Sequence, residues 1–408
     1  MQTPDRLHSL DAVRAFALLG GIVLHATMSF FIALPVADNS QSVTLGLSFY
    51  VIHMFRMVTF FMIAGFFGRM MIERKGVKGF VKDRSKRILI PMVAGWIILA
   101  PLVIGMVIWG AIRTYGPAVA NAPSPAAGGL PLVHLWFLYY LAIFYMIAVA
   151  MRGILHNVLD RAGVLRTVAD AVVRFALRSD VALILLAAPM CAVLYYTPTW
   201  TVWFGIPTPD VGLSLKLPAM IAFGSAFGFG WVLQRQTDLL AEFEKRGSTL
   251  LLFAVALTCV CLAIAGVTPS YLAKPTIIPG SALMRLGYAA SYSLATWCWT
   301  FAVIGLAMRF MSNHSSVRRY LADASYWLYL IHLPIIFFLQ VVMAKWDLTW
   351  MIKFPLILGI TMGIGLVTYR YVVRYTFIGA TLNGKRFPRE GQGSRPVKLG
   401  HLAEHRSS

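Results

Sequence analysis

Residues 12–34 read AVRAFALLGGIVLHATMSFFIAL, an apolar run of membrane-crossing length into which one arginine, Arg14, and one histidine, His25, are set. A hydrocarbon layer about 30 Å thick needs roughly 20 apolar residues of helix rising about 1.5 Å each. Runs of this kind recur along almost the whole chain, at 12–34, 46–71, 88–112, 133–151, 181–197, 213–233, 249–267, 283–308, 325–344 and 351–373. The pattern predicts an all-α fold: a polytopic transmembrane helical bundle of about ten helices. Composition agrees, because 59% of the 408 residues are hydrophobic, 13% are charged and the mean hydropathy is +0.72. A soluble core does not absorb that much apolar surface.

The formal net charge is +20. Nucleic acid is not the implied partner, because the Lys and Arg residues fall in particular loops between apolar runs and form no basic-aromatic groove. Topology accounts for them better. With the amino terminus in the cytoplasm, 28 Lys and Arg lie on the cytoplasmic side, and only Arg113, Lys216, Lys274, Lys345 and Lys353 lie opposite. Arg56, Arg69 and Arg285 lie within or at the ends of helices. This positive-inside bias predicts that both termini are cytoplasmic, with the helices facing membrane lipids.

Residues 1–382 read as one membrane domain and 383–408 as a polar cytoplasmic tail, expected to be disordered. The external stretch GPAVANAPSPAAGGLP, 116–131, has the composition of a flexible loop. No A-x-A cleavage pattern follows a short apolar core at the amino terminus, so the first helix is expected to remain in the mature protein. Cys191, Cys259, Cys261 and Cys298 all fall inside apolar runs, which predicts free thiols, no disulfide and no metal site. No permanently bound cofactor is implied.

Titratable side chains in the hydrocarbon region cost about 2.5 kcal/mol or more, so each needs a reason. Arg14 and His25 are eleven positions apart, which at about 100° per residue brings them within about 20° of one helix face, three turns and about 16 Å apart. The two are expected to line one groove. Near the inner surface the fork of Arg14 suits a phosphate, and the imidazole of His25 at mid-membrane suits a base. Equally open is that Arg14 snorkels to lipid phosphates and His25 bonds a neighbouring helix.

The first cytoplasmic loop, ERKGVKGFVKDRSKR at 73–87, ends with Arg84 and Arg87 at i, i+3. Two convergent guanidiniums make an anion site, while a juxtamembrane anchor on anionic lipid explains the same cluster. SYWLYLIH opens the ninth span and puts Tyr329 and His332 on one face near its cytoplasmic end; an interfacial belt is the plainer account. HLWFLYYL opens the fourth, with His134 and Trp136 on the external side, where a sugar can stack on the indole or the indole can belong to the belt. Arg56 interrupts the second span and must face a cavity, a polar neighbour or a ligand, with Asp11 as one candidate neighbour.

In this order, RLHSLDAVRAFALLGGIVLH, FFMIAGFF, RSKR, HLWFLYYL and SYWLYLIH resemble the motifs of the acyltransferase-3 family of integral membrane acyltransferases, over most of the chain. Ala64 departs from that pattern, standing where the family commonly has serine, and residues 1–408 are expected to hold no counterpart of the extracytoplasmic esterase-like domain fused in some relatives. VVRYTFIGATLNGKR, 372–386, resembles the branch that succinylates osmoregulated periplasmic glucans.

The resemblance implies that Arg14 and His25 are catalytic and that Arg84 and Arg87, with Arg14, hold a donor. Asp11, Arg56, His134, Trp136, Tyr329 and His332 are expected to line the substrate site. The expected donor is cytoplasmic acyl-coenzyme A, carrying acetyl or succinyl, and the expected acceptor a hydroxyl of a periplasmic or cell-surface glycan such as a glucan. A separate periplasmic protein is a possible partner. The rival classes are a transporter or flippase for a glycan or lipid-linked sugar, and a silent scaffold that kept the fold.

Overall fold

The computed structural model describes residues 8–118, 130–179, 181–198, 200–209, 212–267, 280–384 and 386–388. Most of the predicted 116–131 loop and of the 383–408 tail lies outside the described residues. Every regular element within them is helical: α1 (His8–Thr27), α2 (Val43–Arg84), α3 (Ile90–Tyr115), α4 (Trp136–Ile154), α5 (Val164–Arg178), α6 (Val181–Tyr195), α7 (Leu217–Leu233), α8 (Leu240–Ala265), α9 (Ala282–Phe310), α10 (Ser316–Met343), α11 (Trp350–Thr368) and α12 (Phe377–Asn383).

Each of the ten apolar runs falls on one of these helices. Seven helical stretches among the described residues are long and apolar enough to cross a bilayer, and one of them, Val43–Tyr115, is 73 residues long and contains two of the runs. α6, with 15 residues, and α7, with 17, are shorter than a full crossing. The helices turn apolar side chains outward, as a surface against lipid tails requires: Ile97 and Ile98 on α3 are 61% and 62% exposed and Leu252 on α8 is 69% exposed.

Two segments differ from the expectation. The stretch 152–180 is not simply a loop, because it contains α5, whose Leu165, Val168, Val172 and Phe175 are exposed at helical spacing while Arg166, Arg174 and Arg178 share the same helix. Mixed composition hid an amphipathic helix of the kind that lies in a membrane interface. α10 begins at Ser316, so Tyr329 and His332 lie well inside it rather than near its start.

Close helix crossings set the frame. α2 and α7 meet where Gly65 faces the backbone carbonyl of Phe227 and Gly230 faces that of Met62, leaving no room for a Cβ on either side. This contact explains the glycine of FFMIAGFF in local terms. α2 breaks at Gly76, whose φ of 66° lies in the left-handed region that lacks penalty only for glycine, and a π turn over Ser85–Leu89 leads into α3. α1 packs against α2, α9 and α10 and is thereby drawn into the interior.

At the other end of α1, Lys353 of α11 is fully buried and pairs with Asp38 at 3.0 Å and with Asn39 Oδ1 at 2.6 Å. Sequence placed Lys353 among the few external charges; burial with a carboxylate makes it a tie between α11 and the segment after α1.

Candidate functional site

Two sizeable cavities adjoin α1. The larger, about 850 Å³, gathers Asp11 and Arg14 from α1, Glu73, Arg74 and Arg84 from α2, Arg87 from the π turn, Tyr326 from α10 and Asn383 from α12. Arg14 pairs with Asp11 at 3.2 Å. Asp83 stands 3.8 Å from both Arg84 Nε and Arg87 Nη1, and 2.7 Å from Lys75, so one carboxylate is shared among three cations. Arg84 lies over the Tyr145 ring at 5.2 Å. Arg87 Nε donates to the carbonyl of Leu382 at 3.1 Å, and Tyr326 Oη donates to the carbonyl of Arg87 at 2.7 Å, which ties α12 and α10 to the wall. Asp323 lines the cavity as well, so four arginines face three carboxylates there, and guanidiniums held in this way have the geometry to grip an anion such as phosphate.

The smaller cavity, about 350 Å³, is lined by His25 from α1, His53 and Arg56 from α2, His134 and Trp136 at the start of α4, and Tyr329 and His332 from α10. Among the described residues no aspartate or glutamate lines it. His332 stands between two other imidazoles, with ring centroids 5.2 Å from His25 and 5.3 Å from His134. His134 Nε2 contacts the Leu330 carbonyl at 3.1 Å, and Tyr329 Oη donates to the His134 carbonyl at 2.7 Å. An imidazole nitrogen facing a carbonyl must carry its proton, so His134 Nδ1, which has no hydrogen-bond partner, is left as an acceptor.

His25 Nδ1 approaches Met28 Sδ at 3.2 Å. Where α1 gives way to the 3-10 turn Met28–Phe30, Gln340 Nε2 donates to the carbonyls of His25 and Ala26 at 3.1 and 3.0 Å, satisfying acceptors that a helix end leaves open. Among the described residues no group of three His, Cys, Asp or Glu is arranged to hold a metal ion, and the four cysteines are free.

Arg14 and His25 do not share one groove. Arg14 lines the basic cavity and His25 the imidazole cavity, and Leu18, Phe60 and Phe137 border both. Part of the reason is on α1 itself: Leu18 lies four residues after Arg14 and seven before His25, on the same face, and borders both cavities. Of the alternatives open to Arg56, the structure gives a cavity; Asp11, its candidate neighbour, instead stands 3.2 Å from Arg14 and lines the basic cavity. Trp136 is 8% exposed and stacks on Phe223 at 5.8 Å, so one face of the indole is already covered.

The structure adds residues that sequence did not single out. His53 lines the imidazole cavity, and its spacing three residues before Arg56 was the available signal. Gln340 had none, since it takes its place through its contact with the end of α1, while Tyr326 and Arg74 lie within SYWLYLIH and the basic run 73–87.

A family model described as an acyltransferase domain matches residues 7–370. The chain is 29% identical over 163 residues to glucans biosynthesis protein C of Escherichia coli (strain SMS-3-5 / SECEC), and 28% identical over 163 residues to the protein of that name from Shigella boydii serotype 4 (strain Sb227). These alignments cover 39% of this chain and 42% of each relative, so the chain spans less than half the length of the curated relatives it matches. No solved structure matches. With the family model running from the first helix past His332, the chain belongs to the acyltransferase-3 family.

Proposed function

We propose that the protein moves an acyl group, acetyl or succinyl, from cytoplasmic acyl-coenzyme A to a hydroxyl of a periplasmic or cell-surface glycan, in the bacterial inner membrane. The glycan is a glucan in the reading nearest to the relatives named above. One observation carries this: a basic cavity and an imidazole cavity lie in series along one face of α1, with Arg14 in the first, His25 in the second and three side chains between them.

In this proposal the coenzyme's phosphates sit among Arg14, Arg84 and Arg87, and its thioester reaches past Leu18 toward His25. His25 takes the proton of the acceptor hydroxyl as its oxygen attacks the thioester carbonyl carbon. The carbon–sulfur bond then breaks, and the departing thiolate takes the proton back, giving an ester and free coenzyme A. A transient acyl-His25 is the alternative use of the same imidazole. Trp136 and the segment before α4 face the acceptor's approach.

The test uses the purified full-length protein in detergent with labelled acyl-coenzyme A and a glucan. Wild type is expected to release thiol and label the glucan, and His25→Ala to do neither. Equal transfer by His25→Ala would remove the histidine from the reaction. Movement of glycan across proteoliposomes with no thiol release would favour a transporter instead.

A further inference from the structure

Arg56 holds a cation in the imidazole cavity with no carboxylate among the described residues to balance it. Among the described residues no carboxylate lies within ion-pair distance of it, no aspartate or glutamate lines the cavity, and its Nε is buried without a hydrogen-bond partner. An uncompensated guanidinium at membrane depth is costly and requires an anion in the working state. Phosphate recognition does not supply that anion, because Arg14, Arg84 and Arg87 lie in the other cavity, beyond Leu18, Phe60 and Phe137.

The position of the side chain says where the negative charge arises. The Arg56 side chain lies along α1 at its glycine pair: Cδ is 3.5 Å from where a Cβ of Gly20 would stand, and Nη1 occupies the place a Cβ of Gly21 would take. Gly21 and His25 are one helical turn apart, so neighbouring side-chain positions there are about 5–6 Å from each other. The charge is therefore set beside the base, at the reacting carbonyl rather than at a remote end of the acyl group.

We propose that Arg56 is a catalytic residue that stabilises the oxyanion of the acyl transfer, its guanidinium seated in the space left by Gly20 and Gly21. The inference rests on the acyl-coenzyme A reading. When the acceptor oxygen bonds to the thioester carbon, the carbonyl π pair moves onto oxygen and the negative charge appears next to Arg56. Collapse of that intermediate returns the pair, expels the thiolate and restores the neutral ester. A fixed cation in a largely apolar cavity favours the charged intermediate over the neutral thioester, which is the differential stabilisation that raises turnover.

The experiment measures thiol release by the full-length protein with acetyl-coenzyme A and a glucan, alongside coenzyme A binding. Arg56→Met is expected to lower kcat about 10²–10³-fold, the usual loss for an oxyanion donor, with donor KM and coenzyme A Kd within about threefold of wild type. Arg56→Lys should recover part of the loss. Gly21→Ala keeps the charge but displaces the guanidinium and should lower kcat in the same sense. A wild-type kcat in Arg56→Met overturns the assignment. A loss carried by KM, or confined to donors whose acyl group bears its own carboxylate, also overturns it and makes Arg56 a binding residue. A wild-type protein that releases no thiol from any acyl-coenzyme A overturns the acyl-coenzyme A reading itself.

Discussion

The imidazoles of His25 on α1 and His332 on α10 face one another with ring centroids 5.2 Å apart, and the His332 ring is fixed by a 2.6 Å hydrogen bond from its Nδ1 to the carbonyl of Tyr329. That bond places the proton on Nδ1 and leaves Nε2, which is buried and has no partner, as a bare acceptor. His332→Asn keeps a donor for the Tyr329 carbonyl and removes the acceptor. Turnover in the thiol-release assay is expected to fall about 10²-fold with donor KM unchanged, the scale of a lost proton acceptor. Unaltered turnover would make His332 a packing residue.

In the basic cavity the expected loss is of affinity rather than rate. A hydrogen bond to a charged group contributes about 1.5–3 kcal/mol, so Arg84→Ala should raise donor KM about tenfold or more and leave kcat near wild type. Arg87→Ala should do the same and also loosen α12, because Arg87 Nε holds the Leu382 carbonyl. Isothermal titration with coenzyme A separates the two effects; an unchanged Kd in Arg84→Ala would remove that residue from donor binding.

The Lys353–Asp38 pair gives a stability prediction independent of the chemistry. Both side chains are at most 1% exposed, so removing one partner leaves a buried unpaired charge. Lys353→Met should destabilise the protein by about 3–5 kcal/mol, and Lys353→Met with Asp38→Leu should recover much of that loss. Thermal unfolding in detergent measures both; a double variant no better than the single one would show that the pair is not the source of the loss.

The α2–α7 crossing predicts a contrast within one helix. A Cβ at Gly230 meets the backbone carbonyl of Met62, and a backbone cannot rotate away as a side chain can, so Gly230→Ala should cost about 1–3 kcal/mol. Gly228, two residues earlier, has nothing within 4 Å of an added Cβ, so Gly228→Ala should be neutral or slightly stabilising. Equal melting temperatures for the two variants would contradict the close crossing.

At the start of α5 the carboxylate of Asp160 accepts from the amides of Leu165 and Arg166 and from Arg166 Nε at 2.8 Å. Burial alone would raise its pKa, but these hydrogen bonds and the Arg166 charge outweigh it and hold the carboxyl below the usual carboxylate range. A lowered folded-state pKa means that the contribution is complete above the ordinary value near 4 and is lost as pH falls through the lowered one. Protection of the Leu165 and Arg166 amides from exchange, relative to the intrinsic rate at each pH, should therefore fall on acidification in wild type and be low at neutral pH in Asp160→Ala.

Much of this molecule could be read locally. The ten apolar runs land on helices because a run of about 20 apolar residues must satisfy its own backbone in lipid, and a helix does so without help from elsewhere in the chain. The face shared by Arg14 and His25 follows from helical period alone, and that same period puts Leu18 between them. α5 escaped notice because its apolar face is interleaved with arginines, so mean hydropathy hides what periodicity would have revealed.

Sequence by itself determined that the chain is a bundle of apolar helices, and which expensive side chains those helices carry. Only the tertiary structure decided that His25, His134 and His332 meet, that Arg56 turns to the α1 glycines instead of Asp11, and that Arg14 and His25 open into separate cavities. The physical reason is that hydrophobicity and helical period act within about twenty residues. Which helix faces meet depends instead on crossings such as Gly65 and Gly230 at α2–α7, made by residues more than 160 positions apart and fixed by the shapes of both surfaces together.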